Sequence, residues 1–422
     1  MNTKLSDTKW ILNAIRGVIT GILSALFITV FANTIAFAGK INSNYPMITL
    51  LIPLGAIFIA FIYKKLGDKY KKATIYAIDE IHKSEEEKLN LAQSQRNVDA
   101  VSPYMGLCGF FTATLSHLLG ASVGKEGVGV QIGLSVGNFF SRLEHRFFKR
   151  FQGGEPYYLM AGASAAFGAL FGSPIAGVLF GLQFASPAIT RLDAMMPCTI
   201  AAFTSVYLSK LLGIHILNIP EYAALPVNLE NALVAFLVAV AVGLFARYFC
   251  YSLRRFSEIN KRLSRGNSYL ASLIPSSMVL AIILIHYAIK GNFIYNGLSA
   301  NLLYSSISGN IDIYSFILKA LLVFLSITAG FIGGEVVPLL VTGSTLGYAI
   351  ASLFSLPTAP FAALGALGML AGGTNLPLVC FALGIELFHY SDPSILFMFV
   401  VTSYIVSGNE GIYLHQRQDF KN

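Results

Sequence analysis

Residues 124–133, GKEGVGVQIG, sit inside a long apolar run, and their reading decides how the rest of the chain is organised. Glycines at 124, 127 and 129 let the backbone bend sharply and approach a ligand closely, ahead of a helix expected to begin near Val128. The first turn of such a helix carries unpaired N–H groups, which favour an anion together with the positive end of the macrodipole. Membrane transporters place broken half-helices at mid-bilayer to make sites of this kind. Glu126 hangs at the mouth of the element. A carboxylate in an apolar stretch marks an ion or proton pathway, and one at a helix N-terminus can imitate a bound anion and leave when protonated. The alternative role for Glu126 is helix capping at a membrane edge.

Composition sets the class in which this element works. Apolar residues make up 55% of the 422 and charged residues 12%, more apolar surface than a soluble domain buries, so the expectation is a polytopic membrane protein. Candidate spans fall at roughly 10–38, 46–63, 101–120, 155–181, 195–213, 231–252, 269–289, 312–331, 335–355 and 361–408, several of them too short or too Gly-interrupted for simple crossings. The expected fold is all-α, one transmembrane domain over residues 1–422 with broken helices, Pro53 interrupting the second and Pro174 breaking the run at 161–183. The N-terminus has no charged n-region followed by a small-residue cleavage site, so the run after Trp10 reads as a retained helix.

The net charge of +8 is unevenly placed. Basic clusters occur at Lys64, Lys65, Lys69, Lys71 and Lys72, at Arg142, Arg146, Lys149 and Arg150, and at Arg254, Arg255, Lys261, Arg262 and Arg265. The positive-inside rule assigns these three loops, and with them both termini, to the cytoplasm. Because the clusters flank apolar spans, orientation explains them and a nucleic-acid partner is not expected. Residues 64–100 leave the bilayer at least in part, and Lys83 to Ala100 read as a loop or short surface helix. Within them Asp79, Glu80 and His82 look superficially like metal ligands, but with no Cys or second His nearby a solvated or capping role is expected. Cys108, Cys198, Cys250 and Cys380 lack metal-ligand spacing and read as packing residues, so neither metal nor cofactor is expected. His117, alone on an apolar helix, reads as a hydrogen-bonded core residue.

The second half of the chain repeats the first. Pairing Pro174 with Pro377 also pairs Gly162 with Gly365, Gly181 with Gly384 and Gln183 with Glu386, all at one offset of 203 residues. Gly124, Gly133 and Gly137 pair with Gly334, Gly343 and Gly347 at an offset of 210, the difference being absorbed by a shorter loop after the second element. The matching cores lie at about 101–213 and 312–413. The first element leads into a basic loop and its counterpart into the uncharged SLFSLPTAP at 352–360, which suggests that the repeats are inverted. The counterpart, GGEVVPLLVTGSTLG from Gly333 to Gly347, again opens a helix and again carries a carboxylate, Glu335. Near the C-terminus, SGNEGIYLHQ places Tyr413 just beyond the last apolar run, as an interfacial anchor or as an anion donor; spacing does not choose.

At these residues the chain resembles the CLC family of chloride channels and anion/proton antiporters, most closely its fluoride-exporting bacterial branch. GKEGV stands where the family has a GREGP-like gating motif, GGEVVP stands for GGIFAP or the branch's GGEVTP, and FGSPIAGVLFGL and NEGIY match the branch. The resemblance implies an inverted-repeat helical fold in the bacterial plasma membrane, a homodimer with a pore in each subunit, and anion exchange coupled to protons. It makes Glu126 the gating glutamate and Glu335 the second proton-coupling carboxylate. It places Gly124, Gly127 and Val128, and Gly334, Glu335, Val336 and Val337, around the anion, with the amides of Glu335 and Val336 lining the central site and Tyr413 giving a hydroxyl.

Three departures accompany the resemblance. The first anion loop, GSGIP in other members, corresponds to KKATIY at 71–76, with no glycine, which leaves Thr74, Ile75 and Tyr76 as candidates for the coordinating residue. Val337 stands where the branch has Thr, and Gln183 where a Glu is usual. The internal proton glutamate of other members falls at Phe184, as expected for the fluoride branch. The leading expectation is a fluoride/proton antiporter that expels fluoride, the alternative a chloride channel or chloride/proton exchanger. An intramembrane enzyme using Glu126 and Glu335 lacks a nucleophile–base pair, paired metal-binding carboxylates and a phosphate loop, so no enzyme is expected. Only a short tail follows Tyr413, with no cytoplasmic regulatory domain expected.

Overall fold

A computed structural model describes residues 2–67, 70, 73–88, 101–147, 155–187, 191–409, 411–413 and 415–416. Among them are sixteen α-helices and no strand, only one isolated bridge. The first half comprises α1 (Asn2–Asn44), a 3-10 turn at Pro46–Leu51, α2 (Ile52–Leu66), α3 (Ala73–Lys88), α4 (Pro103–Leu119), α5 (Glu126–Phe147), α6 (Glu155–Phe171), α7 (Pro174–Gln183) and α8 (Met195–Leu211). After it come α9 (Leu229–Leu263), α10 (Ser268–Lys290), α11 (Ala300–Ile307), α12 (Ser315–Thr328), α13 (Val336–Leu353), α14 (Thr358–Thr374), α15 (Pro377–Glu386) and α16 (Pro393–Ser407). Stretches 10–44 and 46–66 and helices α9, α10 and α13 are long and apolar enough to cross a bilayer. Several others run 10 to 17 residues, short of the about 20 that a crossing needs.

The breaks follow local chemistry. Pro174 and Pro377 stand at the first position of α7 and α15, where the missing N–H costs nothing. Ahead of them the chain turns through the left-handed region at Gly172 (φ 66°) and at Asn375 (φ 60°), which are 203 residues apart. Gly120 (φ 83°) and Gly330 (φ 89°) do the same after α4 and α12, 210 residues apart. Several expected boundaries are corrected. Pro53 lies in the first turn of α2 rather than interrupting a helix. The span at 361–408 is three helices, α14, α15 and α16, because Pro377 and Pro393 each restart the chain. Helix α5 begins at Glu126, two residues before Val128.

Arg254, Arg255, Lys261 and Arg262 lie on α9, not in a loop. Lys64 and Lys65 end α2, and Arg142 and Arg146 lie toward the end of α5, where positive charge meets the negative end of the macrodipole. Lys64 also sits over the Tyr269 ring at 4.9 Å, which brings the end of α2 to the start of α10. Lys69, Lys71, Lys72, Lys149, Arg150 and most of Lys83 to Ala100 lie outside the described residues. His82 is a further correction: it is buried, with Nε2 3.0 Å from the Ala185 carbonyl and 3.1 Å from Ser186 Oγ, and Glu80 is buried with it. Asp79 is more exposed and accepts from His415 Nδ1 at 2.9 Å.

The two halves meet through matched contacts. Gly133 packs on the Gly162 carbonyl and Ala166, and Gly343 on the Gly365 carbonyl and Met369. Gly137 and Gly347 press in the same way on the carbonyls of Tyr158 and Phe361. Small residues let α5 lie on α6, and α13 on α14, backbone to backbone. Across the halves, Gly124 N donates to Gly334 O and Gly334 N to Gly124 O, each at 2.7 Å. Ser122 N donates to Ser326 Oγ at 3.0 Å, and its counterpart Ile332 N donates to Ser116 Oγ at 3.2 Å. Such reciprocity is what a local two-fold relation between the halves produces.

Candidate functional site

The Gly124–Gly334 bridge sets the first turns of α5 and α13 face to face. A Cβ on Gly124 would stand 2.8 Å from the Gly334 carbonyl oxygen and 2.9 Å from Pro338, and one on Gly127 would stand 2.9 Å from Gly334 Cα. Glycine at these positions is therefore required by the approach of the two backbones. Glu335 is the N-cap of α13 and its side chain makes no capping bond, so the amides that open that helix keep their donors.

Glu126, at the first position of α5, is 1% exposed. Neither carboxylate oxygen makes a hydrogen bond of good geometry, and the nearest donors are the backbone amides of Lys125, Glu126 itself and Val337. The carboxylate thus lies across both helix N-termini, with the Lys125 ammonium the positive charge that acts on it. The Lys125 side chain is buried and donates from Nζ to the His215 carbonyl at 2.9 Å.

The segment after α16 folds back to bring Tyr413 to this place. Ile412 N donates to Gly373 O at 2.7 Å, and Gln416 Nε2 donates to the carbonyls of Phe184 at 3.0 Å and Thr374 at 3.2 Å. Tyr413 stands edge-on to Phe180, 6.3 Å between ring centres, within electrostatic reach of Glu126, Glu335 and Cys380. Glu335 and Tyr413 are partly buried, close enough for the carboxylate to act on the phenol. Phe167, Phe180 and Phe184 stack in a row beside Tyr413, with centroids 4.2 and 5.4 Å apart.

The sequence-derived candidates divide on this geometry. Gly124, Gly127, Glu126, Gly334, Glu335, Val337 and Tyr413 are brought to one place. Val128, Val336 and Val337 are buried, and of the three the Val337 amide is the one beside the Glu126 carboxylate. Thr74, Ile75 and Tyr76 lie in the first turn of α3, and no hydrogen bond among the described residues joins them to Glu126, Glu335 or Tyr413. The link from α3 is the Asp79–His415 pair, two residues beyond Tyr413.

Three residues outside the candidate set belong to the surroundings. Lys319, on α12, is fully buried and donates to Ser122 Oγ at 2.7 Å, to the Gly297 carbonyl at 2.9 Å and to Ser299 Oγ at 2.9 Å. His117 and Lys125 line a cavity of about 740 Å³ together with Lys40, Asn42, His215 and Asn296. The signal for Lys319 was in the sequence, as a lone lysine in the apolar run SFILKALLVFL. Among the described residues no group of three His, Cys, Asp or Glu is placed to hold a metal.

Comparisons with known proteins agree with this arrangement. The sequence profile of the family described as "Voltage gated chloride channel" matches residues 55–408. A "Chloride/fluoride channel protein" of Pseudomonas syringae pv. tomato is 30% identical over 413 residues, 97% of this chain and 86% of the relative. An "H(+)/Cl(-) exchange transporter ClcA" of Klebsiella pneumoniae is 24% identical over 290 residues, 64% of this chain and 58% of that protein. The crystal structure of a CLC-type fluoride/proton antiporter superposes with a TM-score of 0.83 at 26% identity, covering 96% of this chain and 98% of the other. A eukaryotic CLC transporter, 17% identical with a TM-score of 0.75 over 96% of this chain and 73% of the other, shares the fold. With a profile match over most of the chain and two opposed helix N-termini holding a buried glutamate, this protein belongs to the voltage-gated chloride channel, or CLC, family of membrane anion transporters.

Proposed function

We propose that the protein exchanges fluoride for protons and carries fluoride out of the cytoplasm. The observation that carries this reading is the Glu126 carboxylate, seated across the N-termini of α5 and α13 without a hydrogen-bond partner of its own. Charged, it occupies the anion's place among the amides of Lys125, Glu126 and Val337. Protonated, it loses its attraction to those amides and to Lys125, swings away, and leaves them to the halide. The Tyr413 hydroxyl then donates to the ion, and Glu335, within electrostatic reach of Tyr413, is the second carboxylate able to take up or give back the proton. The fluoride preference is supported by the Pseudomonas relative and the fluoride/proton antiporter structure, and by a carboxylate at Glu335 where GGIFAP members carry an apolar side chain.

Chloride/proton exchange is the second reading, favoured by Val337, whose apolar side chain replaces the hydroxyl of the fluoride branch, and by the Klebsiella relative. Fluoride-electrode efflux from reconstituted liposomes, with chloride run in parallel, separates the two. Fluoride release that drives proton movement is the expected result, and chloride release without fluoride release would overturn it. The same proposal includes two inverted repeats in one transmembrane domain, a homodimer in the lipid bilayer of a bacterial plasma membrane, and cytoplasmic termini beside the basic ends of α2, α5 and α9.

A further inference from the structure

The cavity beside Glu126 contains a histidine that the exchange cycle does not use. His117, near the end of α4, is 3% exposed and lines the cavity with Lys125. Its Nδ1 lies 2.9 Å from the Ala113 carbonyl, one turn back on the same helix. A carbonyl only accepts, so Nδ1 carries the hydrogen, and in the neutral ring Nε2 is a bare acceptor. That nitrogen is buried and has no hydrogen-bond partner. The charges acting on the ring are Lys125, just ahead of α5, and Lys319 on α12. Lys40 and His215 also line the cavity, and no Asp or Glu is among its lining residues. Lys319 is itself held by three neutral oxygens, two of them on Gly297 and Ser299 of the cavity wall.

We propose that His117 and the adjoining floor of this cavity take up a halide and a proton together. A proton on Nε2 turns that nitrogen from acceptor into donor, and it adds a positive charge beside Lys125 and Lys319 on a cavity that no Asp or Glu lines. A halide held between Nε2–H and Lys125 Nζ supplies the balance. Each ligand then tightens the other by the same factor, since the coupling between two bound species is reciprocal. The site stands next to the gate, and the proton it stores is the one Glu126 needs in order to vacate the anion's place. The halide as ligand rests on the proposed transport function, whereas the place for it is set by His117 and Lys125 on the cavity wall.

The test is halide-linked proton uptake by purified protein in weakly buffered detergent solution, read with a pH indicator on adding sodium fluoride or, separately, sodium chloride. Glu126→Gln silences the gate, which would otherwise bind protons when displaced. Uptake is expected to persist in that variant and to fall about threefold or more when His117→Gln is added, because glutamine keeps a neutral hydrogen-bonding group but does not titrate. No uptake in Glu126→Gln, or equal uptake with and without His117→Gln, overturns the inference. If the double variant does not fold, imidazole NMR signals of His117 in Glu126→Gln decide instead. An imidazolium that forms on halide addition supports the site, and a ring that stays neutral at saturating halide refutes it. Failure of the two proposals is separable: halide flux in liposomes without His117-linked uptake removes this site alone, and uptake in a protein that moves no halide removes the transport reading and leaves the site.

Discussion

At the residue scale, the chemistry is concentrated in two carboxylates that occupy different kinds of place. Glu126 lies across donors that any anion would use, so its charge state decides who occupies them. Glutamine at 126 has the same shape but neither carries a proton nor imitates an anion. Glu126→Gln is expected to lower proton-coupled fluoride efflux at least about tenfold, the equivalent of roughly 1.4 kcal/mol in the barrier, measured with a fluoride electrode and a pH indicator on the same liposomes. Unchanged coupled flux would remove Glu126 from the gate. Glu335 is the counterpart of Lys125 in the 210-residue repeat, not of Glu126, so the two halves put opposite charges at equivalent positions. It caps α13 without a capping bond and lies within electrostatic reach of Tyr413. If its role is proton exchange, Glu335→Gln leaves a folded protein whose coupled efflux falls across the pH range tested. If it only holds the turn, flux is near normal, and that result would take Glu335 out of the mechanism.

At the element scale, the broken helices hold because their ends are answered by other elements. Glu386, closing α15, accepts from Ile175 N and Ala176 N at the start of α7, both at 2.9 Å, so one half caps a helix of the other. The glycine seams do the rest. A Cβ on Gly133 would run into the Gly162 carbonyl and the Ala166 side chain, whereas a Cβ on Gly39 meets nothing within 4 Å. Gly133→Ala is therefore expected to destabilise the protein by about 1–3 kcal/mol through overpacking, read as a lower Tm in detergent. Gly39→Ala, in the helix interior of α1, is expected to hold or slightly raise the Tm, since alanine favours a helix by about 1 kcal/mol over glycine. Equal Tm values for the two variants would contradict the packing account. Although Pro377 was paired with Pro174, 361–408 read as one span; the break at Pro174, where a side chain dictates its own backbone, was legible in sequence. The start of α5 at Glu126 was not, because the apolar pattern alone does not say which residue first adopts helical angles.

At the scale of the whole molecule, α7, α8, α15 and α16 leave large apolar side chains outside, among them Ile175, Tyr207, Leu211, Ile385 and Ile405. Lipid or a second copy can cover such a face, and the proposal is a two-fold homodimer in which each subunit keeps its own Glu126 and Tyr413. Light scattering in mild detergent is expected to give the mass of two chains. Only monomers, with flux retained after reconstitution at one chain per vesicle, would set the dimer aside.

By itself the sequence determined the class and the repeat. A composition of 55% apolar residues demands a bilayer, and glycines and prolines recurring at offsets of 203 and 210 mark turns and close approaches that each local stretch must make whatever surrounds it. The motifs GKEGV and GGEVVP likewise marked the two turns that open α5 and α13, to within two residues, because their chemistry is local. The tertiary structure decided who faces whom. It placed the Glu126 carboxylate by the Val337 amide, turned the last segment back so that Tyr413 reaches both carboxylates, buried His82 against Ala185, and set His117 beside Lys125 and Lys319 on a cavity without acids. Most of these pairs lie a hundred or more residues apart, and what each group does depends on the charge and the unpaired atoms of its neighbour. A residue's own neighbours in the chain carry no record of that neighbour, so only the packed fold supplies it.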